Sequence, residues 1–485
     1  MKKHLNRRVL SKESMALIHG KSLDILEQIG LRVPCEEFYK PLEESGALVD
    51  RAGKTVKFPK DLVERTIQGI RRQIDGGEKQ CLLNGVTSPS TPDDTVRLKF
   101  AGAAIEFLDP LTHQVREPEE LDLIRLVMLG ESIPQVTFVG NPVCYLRDKS
   151  GKAIPGPLQR VKTAALVAKY TTKYGSNEVW NDKELELLIE LGSIVRGGKK
   201  DFFDNPCFVT AKETIAPLQF PEEDSRVLCM LAEKNLPCTI IPMPLSGGTA
   251  PITMGANIAM TVAEVLGVFV CIRSKYPNAM VGGGVLSGVM DMRRGSASFA
   301  APETLLQDLG AANLFADLYG QDFAIGTGYI DAPLPGAQSA AEILARIQAS
   351  RSIGHCYYPV GLLFGGKRWS PIQAYIGLEM AMYAHRIDAE INVSEEDIPV
   401  DLIKSVGIGG NYLGEDHTFE NFRANVWLPD LMERTISHSD ADAMVDNARQ
   451  KWEAFTQKEI EPAVSKEMAK EIDAWEKKAI DILMR

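Results

Sequence analysis

The sequence predicts an α/β fold: a (β/α)8 TIM barrel with an N-terminal helical and β extension and C-terminal helices. Three observations carry this. Short apolar, β-rich runs alternate with helix-like stretches, and strands followed by helices pair in parallel through right-handed crossovers. Eight such units occupy about 270 residues, close to the usual size of about 250 for this barrel. Neither G-x-G-x-x-G nor G-x-x-x-x-G-K-[ST] follows the first run, which disfavours an open doubly wound sheet.

In chain order, residues 12–75 read as helical. Leu17, Ile18, Leu23, Ile25, Leu26, Ile29 and Leu31 form one apolar stripe. Pro59 opens a second over Pro59–Ile70, after a turn at Asp50–Lys54. VRLKF, AIEFLD and QVRE, with a turn at Pro110–His113, predict strands over 96–117. Residues 1–118 are therefore expected to be an extension packed on the main domain. The barrel is expected over 119–436. Its strands are placed at Gln135–Tyr145, Tyr174–Trp180, Pro206–Thr210, Pro237–Pro242, Ala279–Val285, Asp322–Thr327, Tyr357–Phe364 and Asp388–Val393. Helices lie between them, from Leu158–Tyr170 to Pro371–His385. The charged helical tail, 437–485, is expected outside the barrel.

Composition narrows the function. The 485 residues are 45% hydrophobic and carry a net charge of −11, which argues against nucleic acid and anionic membranes as partners. The basic N-terminus lacks the apolar stretch of a signal peptide. The longest apolar run, Ile258 to Ile272, is interrupted by Glu264 and falls short of the ~20 residues that span a bilayer. A cytoplasmic protein is expected. The eight cysteines form no C-x-x-C pair, so neither a disulfide scaffold nor a structural zinc is expected.

In such a barrel the site lies in the loops after the strands. Those loops are rich in glycine: Gly247, Gly248, Gly282–Gly284, Gly326, Gly328, Gly365, Gly366, Gly409 and Gly410. The alternative for each is a tight turn, but together they leave room on one rim. Tyr145, Tyr329, Phe364, Trp369 and Tyr412 fall in the same loops, and a ring face attracts a quaternary ammonium. The alternative for any of them is packing beneath a helix. His417 is the one histidine in a Gly-rich, acid-flanked loop and is the best catalytic candidate, set against a loop-stabilising hydrogen bond. No second histidine stands at metal-ligand spacing, and no G-x-S-x-G occurs.

The chain resembles the trimethylamine methyltransferase superfamily over essentially its whole length. The segments that carry the likeness are LSKESMALIHGKSLDILEQIGLRV, GGGVLSGVMDMRRGSASFAAPE, AIGTGYIDAPLPGAQSAAE and GIGGNYLGEDHTFENFRANVWLPDLMER. The first is a generic helix; the other three, in this order, are distinctive. The resemblance implies a (β/α)8 barrel that moves a methyl group from an amine to the cobalt of a partner corrinoid protein. The archaeal trimethylamine enzymes carry pyrrolysine in the barrel, and this sequence shows none. That departure implies the branch acting on quaternary amines: glycine betaine first, with proline betaine, carnitine and butyrobetaine as alternatives.

The chemistry agrees. A neutral tertiary amine would leave as an amide anion, whereas a quaternary ammonium leaves as a neutral tertiary amine. With Co(I) as the nucleophile, the barrel needs no acid, base or metal of its own, only proximity and orientation. The trimethylammonium is expected against some of Tyr145, Tyr329, Phe364 and Tyr412. The carboxylate is expected near Lys367, Arg368 or His417. The corrinoid belongs to the cognate partner protein, whose docking calls for a neutral or apolar rim; a homo-oligomer is also expected. A lyase using His417 as base and a non-catalytic betaine binder remain the competing readings.

Overall fold

The computed structural model describes residues 7–77, 80–82, 85–87, 96–175, 179–207, 211–354, 357–391, 393–434 and 442–485. Its parallel sheet begins earlier than the sequence reading placed it. Arg97–Phe100 (β1) pairs in parallel with Val136–Val139 (β2) on one side. On the other it pairs with a late strand, Tyr357–Pro359. VRLKF was read as a strand of the extension, grouped with AIEFLD and QVRE; its Arg97 and Lys99 set it apart from the wholly apolar runs of buried parallel strands. In the fold, Phe100 turns towards the helix Glu120–Ser132, where a Cβ on Gly130 would stand 3.0 Å from its ring. Lys99 therefore points the opposite way.

The other strands of the main parallel ladders are β3 (Ala211–Lys212), β4 (Cys238–Ile240), β5 (Val281–Val285), β6 (Phe323–Ile325) and β7 (Tyr357–Pro359). They form two arcs. One runs β7-β1-β2 and is extended by a parallel bridge from Val139 to Tyr174. The other runs β3-β4-β5-β6. Among the described residues no ladder joins Tyr174 to β3 or β6 to β7. Residues 176–178, in the expected second strand, and 208–210, in the expected third, lie outside the described residues. The expected last strand is corrected: Asp388–Ile391 is not a strand, and Ile391 is 90% exposed. Its alternating pattern has no sheet neighbour to bury it.

Beyond β6 the two arcs touch directly. A Cβ on Gly328 would lie 2.6 Å from Pro359 Cβ and 3.0 Å from its carbonyl oxygen. Gly328→Ala is expected to force the backbones apart, at about 1–3 kcal/mol. A urea melt checks this, and an unchanged midpoint would show that the contact carries nothing.

The flanking helices explain the rest of the chain. Met254–Lys275 follows β4 and carries sixteen consecutive buried residues from Asn257 to Ile272. It is long and apolar enough to cross a membrane, yet 89% of its apolar window is buried within the protein. The helix Lys12–Gln28 lies on it, with the Ser22 hydroxyl donating to Ala259 O at 2.9 Å. Glu264, the charge interrupting its apolar run, is buried and accepts the Thr214 hydroxyl and the Leu218 N–H. Burial raises its carboxyl above the ordinary range. The C-terminal helix Lys466–Leu483 packs outside the sheet, where Trp475 Nε1 donates to Leu187 O at 2.9 Å.

Candidate active site

The face of the sheet turned away from the helices carries a buried cation. Lys99 on β1 and Phe138 on β2 are register partners, and the ammonium lies 5.1 Å from the ring centroid. Behind Phe138 a Cβ on Gly175 would meet the ring at 2.6 Å, so only glycine leaves the ring its place. Lys99 is buried, and desolvation pushes its ammonium down to about 8. The sequence reading missed it. The signal was present as a charge at an inward position of an apolar strand.

The strand ends opposite are held by a buried ion pair. The Asp308 carboxylate accepts Ser287 N–H at 2.9 Å, just after β5. Arg346 donates to Gly326 O at 2.6 Å, just after β6, and to Asp308 at 3.3 Å. Both side chains are essentially inaccessible. Desolvation pushes the Asp308 carboxyl up to about 6 despite Arg346, and lowers Arg346 as well. Each charge therefore loses more in hydration than its partner returns. Asp331, in the loop after β6, accepts Phe299 N–H at 2.7 Å and fixes the approach to the helix Pro302–Leu314.

Around these ends runs a rim with an unusual surface. Each loop that follows β1 to β7 or Tyr174 exposes a large apolar side chain: Ile105, Tyr145, Trp180, Ile215, Met243, Met292, Leu334 and Phe364. Neighbouring loops are joined. Ile105 N–H donates to Lys367 O at 3.1 Å, and Ala104 bridges to Val143. Tyr145 and Trp180 share a groove of about 970 Å³ along the N-termini of the helices Gly156–Tyr170, Asp182–Arg196 and Glu222–Glu233. Trp180 and Ile215 share a second, of about 590 Å³. A Cβ on Gly247 would meet both Ile252 and Met292. The carboxylates of the groove do not dominate it: Arg160 grips Glu184 with two hydrogen bonds, and Lys212 lies 3.4 Å from Asp224. Both cations sit over the Trp180 ring, at 5.3 and 4.7 Å.

The residues expected to form one pocket divide into three places. Tyr145 lines the groove, exposed, with a left-handed φ of 55°. Tyr329, Phe364, Lys367 and Arg368 come together elsewhere on the rim. Phe364 is also left-handed, at φ 51°, with Lys367 and Arg368 over its ring at 5.7 and 5.2 Å. Tyr329 is half-buried under Gly366, where a Cβ would stand 2.4 Å from its ring. Left-handed backbone at two non-glycine rim residues costs of order 1–3 kcal/mol each. Arg368 does not offer a free fork: it pairs with Glu106 at 2.8 Å and donates to Pro333 O at 2.7 Å. Trp369 is fully buried against Phe100, at 5.2 Å. Tyr412 and His417 lie away from the strand ends, on an exposed excursion over 388–425; His417 opens the short helix Asp416–Asn425. Among the described residues no cluster of His, Cys, Asp and Glu could hold a metal ion.

The family model described as trimethylamine methyltransferase (MTTB) matches residues 2–481. The chain belongs to that family. A trimethylamine methyltransferase of Desulfitobacterium hafniense (strain DSM 10664 / DCB-2) is 26% identical, over 94% of this chain and 88% of the relative. A glycine betaine methyltransferase of Desulfitobacterium hafniense (strain Y51) is 23% identical, over 96% of each. The monomethylamine methyltransferase of Methanosarcina barkeri aligns over 91% of this chain and 94% of its own, with 13% identity and a TM-score of 0.48. Members of the family are methyltransferases. The relatives' names divide between a tertiary and a quaternary amine, so the choice of substrate rests on the site itself.

Proposed function

We propose that the protein transfers a methyl group from glycine betaine to Co(I) of a corrinoid carried by a partner protein, releasing dimethylglycine in the cytoplasm. The N–CH3 bond breaks, its electron pair stays on nitrogen, and the methyl group passes to cobalt. The two parallel arcs are read as one (β/α)8 barrel, 119–436 with β1 added, flanked by the N-terminal extension and the tail 437–485.

One observation carries the choice of amine: the buried Lys99 ammonium on the inner face. A cation held there repels a substrate that is only cationic and draws in one that also bears a carboxylate. Trimethylamine is largely protonated near neutrality and would meet that repulsion. A betaine reaching Lys99 with its carboxylate leaves its trimethylammonium towards the strand ends. There a rim aromatic such as Tyr145, Tyr329 or Phe364 would face it, at ~1–2 kcal/mol per ring. Lys99 thus takes the anion-binding role first expected of Lys367, Arg368 or His417.

The corrinoid is the methyl acceptor and comes with its own protein. The rim fits such a visitor, because eight consecutive loops present apolar side chains and two of the groove carboxylates, Glu184 and Asp224, are paired. Within the chain, Lys99 and Phe138 bind and orient, and the Asp308–Arg346 pair holds the strand ends in register. No proton has to move, in keeping with a site built for orientation.

The test is to mix the enzyme with free Co(I)-cobalamin and follow the methyl-Co(III) spectrum with glycine betaine, choline and trimethylamine in turn. Methyl transfer from glycine betaine with little from the other two is expected. Comparable rates on trimethylamine would overturn the proposal.

A further inference from the structure

The buried stretch of the helix Met254–Lys275 carries a single charge, Glu264, and that side chain is fully inaccessible. Among the described residues no cation is paired with it. Its carboxylate reaches instead to the loop after β3, where it accepts the Thr214 hydroxyl and, at 2.8 Å, the Leu218 N–H. Burying a carboxyl in an apolar helix costs hydration that the packing of that helix does not need. The loop it holds is closed on itself, with Ile215 and Gln219 exchanging N–H···O bonds at 2.9 and 3.1 Å. Leu218 stands at a left-handed φ of 58°, a conformation that persists only where its surroundings impose it.

One turn along the same helix, a Cβ on Gly267 would stand 2.5 Å from the Leu31 side chain, so glycine is what lets that residue in. The strand Leu31–Arg32 is thereby seated beside the loop. Arg32 N–H donates to Leu218 O and Phe220 N–H donates to Arg32 O, both at 2.9 Å. One rim loop is thus fixed twice, by Glu264 and by the N-terminal extension. That loop exposes Ile215, which lines the 590 Å³ groove together with Trp180.

We infer that Glu264 is a positioning residue for the acceptor half of the reaction, holding loop 213–219 so that Ile215 meets the incoming corrinoid. The inference rests on the corrinoid-acceptor reading above, and it gives the N-terminal extension a part in that reaction. Glu264 acts through the loop, from the helix side of the sheet. Its loss should therefore change how the acceptor is used and leave the amine site on the inner face as it is.

The experiment is steady-state methyl transfer from glycine betaine to free Co(I)-cobalamin by Glu264→Met and Glu264→Gln, each reactant varied in turn. Met fills similar space and accepts neither bond; Gln accepts Leu218 N–H through its carbonyl and donates to Thr214 Oγ1. Glu264→Met is expected to lower kcat/KM for cobalamin roughly tenfold or more, with KM for glycine betaine unchanged, and Glu264→Gln to restore the parent value. Hydrogen exchange gives a readout without turnover: amides of 213–219 should be protected in the parent and in Glu264→Gln, and exchange faster in Glu264→Met. Should Glu264→Met not fold, Thr214→Val removes one of the two bonds from the loop side and should move both readouts the same way, by less. Unchanged acceptor kinetics or unchanged exchange in the variant overturns the inference while the functional reading stands. So does an equal loss towards both reactants, which would make Glu264 merely structural. A parent that methylates cobalamin from no amine overturns the functional reading and this inference with it.

Discussion

Lys99→Met should lower kcat/KM for glycine betaine by roughly two to three orders of magnitude, the usual loss when one partner of a desolvated charge pair is removed. Activity on choline should not fall and should rise, because the variant removes the cation that repels it and choline has no carboxylate to lose. The pH profile adds a second signature. Lys99 holds its proton only below about 8, so kcat/KM of the parent should be flat below that pH and fall tenfold per unit above it. The variant should lack that limb. Stability should move the other way. Burial lowers the folded-state value from 10.5 to about 8, so folding pays about 3 kcal/mol for this ammonium at pH 7. That cost is fully present below pH 8, shrinks as pH rises towards 10.5, and is absent above. Lys99→Met should therefore be more stable than the parent at pH 7 and equal to it near pH 11. Denaturant melts at the two pH values measure this; a variant less stable at pH 7 would show that Lys99 is structural.

The second large effect is expected at the ion pair behind the strand ends. Arg346→Met leaves Asp308 charged in a site with no solvent access, and should cost about 3–5 kcal/mol. It also strips the donor from Gly326 O, so kcat should fall with stability. Adding Asp308→Asn removes the stranded charge while keeping an oxygen for Ser287 N–H, and should recover most of the stability. Denaturant midpoints of the single and double variants decide this. A double variant no better than the single would mean that geometry rather than charge is at stake. For the parent, the sign at acid pH is also defined. The Asp308 value is raised to about 6 from 3.8, so the folded state binds the extra proton in that window. This group's contribution should grow more favourable as pH falls from 6 towards 4.

Much of the architecture could be read from residue order. The apolar runs at Pro237–Pro242, Ala279–Val285, Asp322–Thr327 and Tyr357–Phe364 each contain a parallel strand, because a strand covered by helices must be apolar on both faces. The same rule misled at β1. An inward lysine makes Arg97–Phe100 look like a half-exposed hairpin, and nothing local distinguishes a charge facing solvent from one facing the inner side of a sheet. Asp388–Val393 misled in the opposite direction, since its alternation is that of a strand while the excursion over 388–425 offers it no neighbour.

The site divides in the same way. Tyr145, Tyr329 and Phe364, chosen as aromatics in loops after strands, do lie on the rim. His417 and Tyr412 were picked by the same composition argument, yet they sit on an excursion whose position depends on where the helix Pro371–Ile387 ends and where Trp427 returns to it. Arg368 is taken up by Glu106, 262 residues earlier in the chain, a partner that local sequence does not reveal.

By itself, then, the order of amino acids determined the α/β class and the family. These follow from periodicity, glycine placement and motifs that act over tens of residues. Only the tertiary structure decided which charges are buried, which are paired and which apolar residues lack cover. Those properties belong to contacts between residues hundreds of positions apart, and a side chain's desolvation cannot be known before its neighbours are in place.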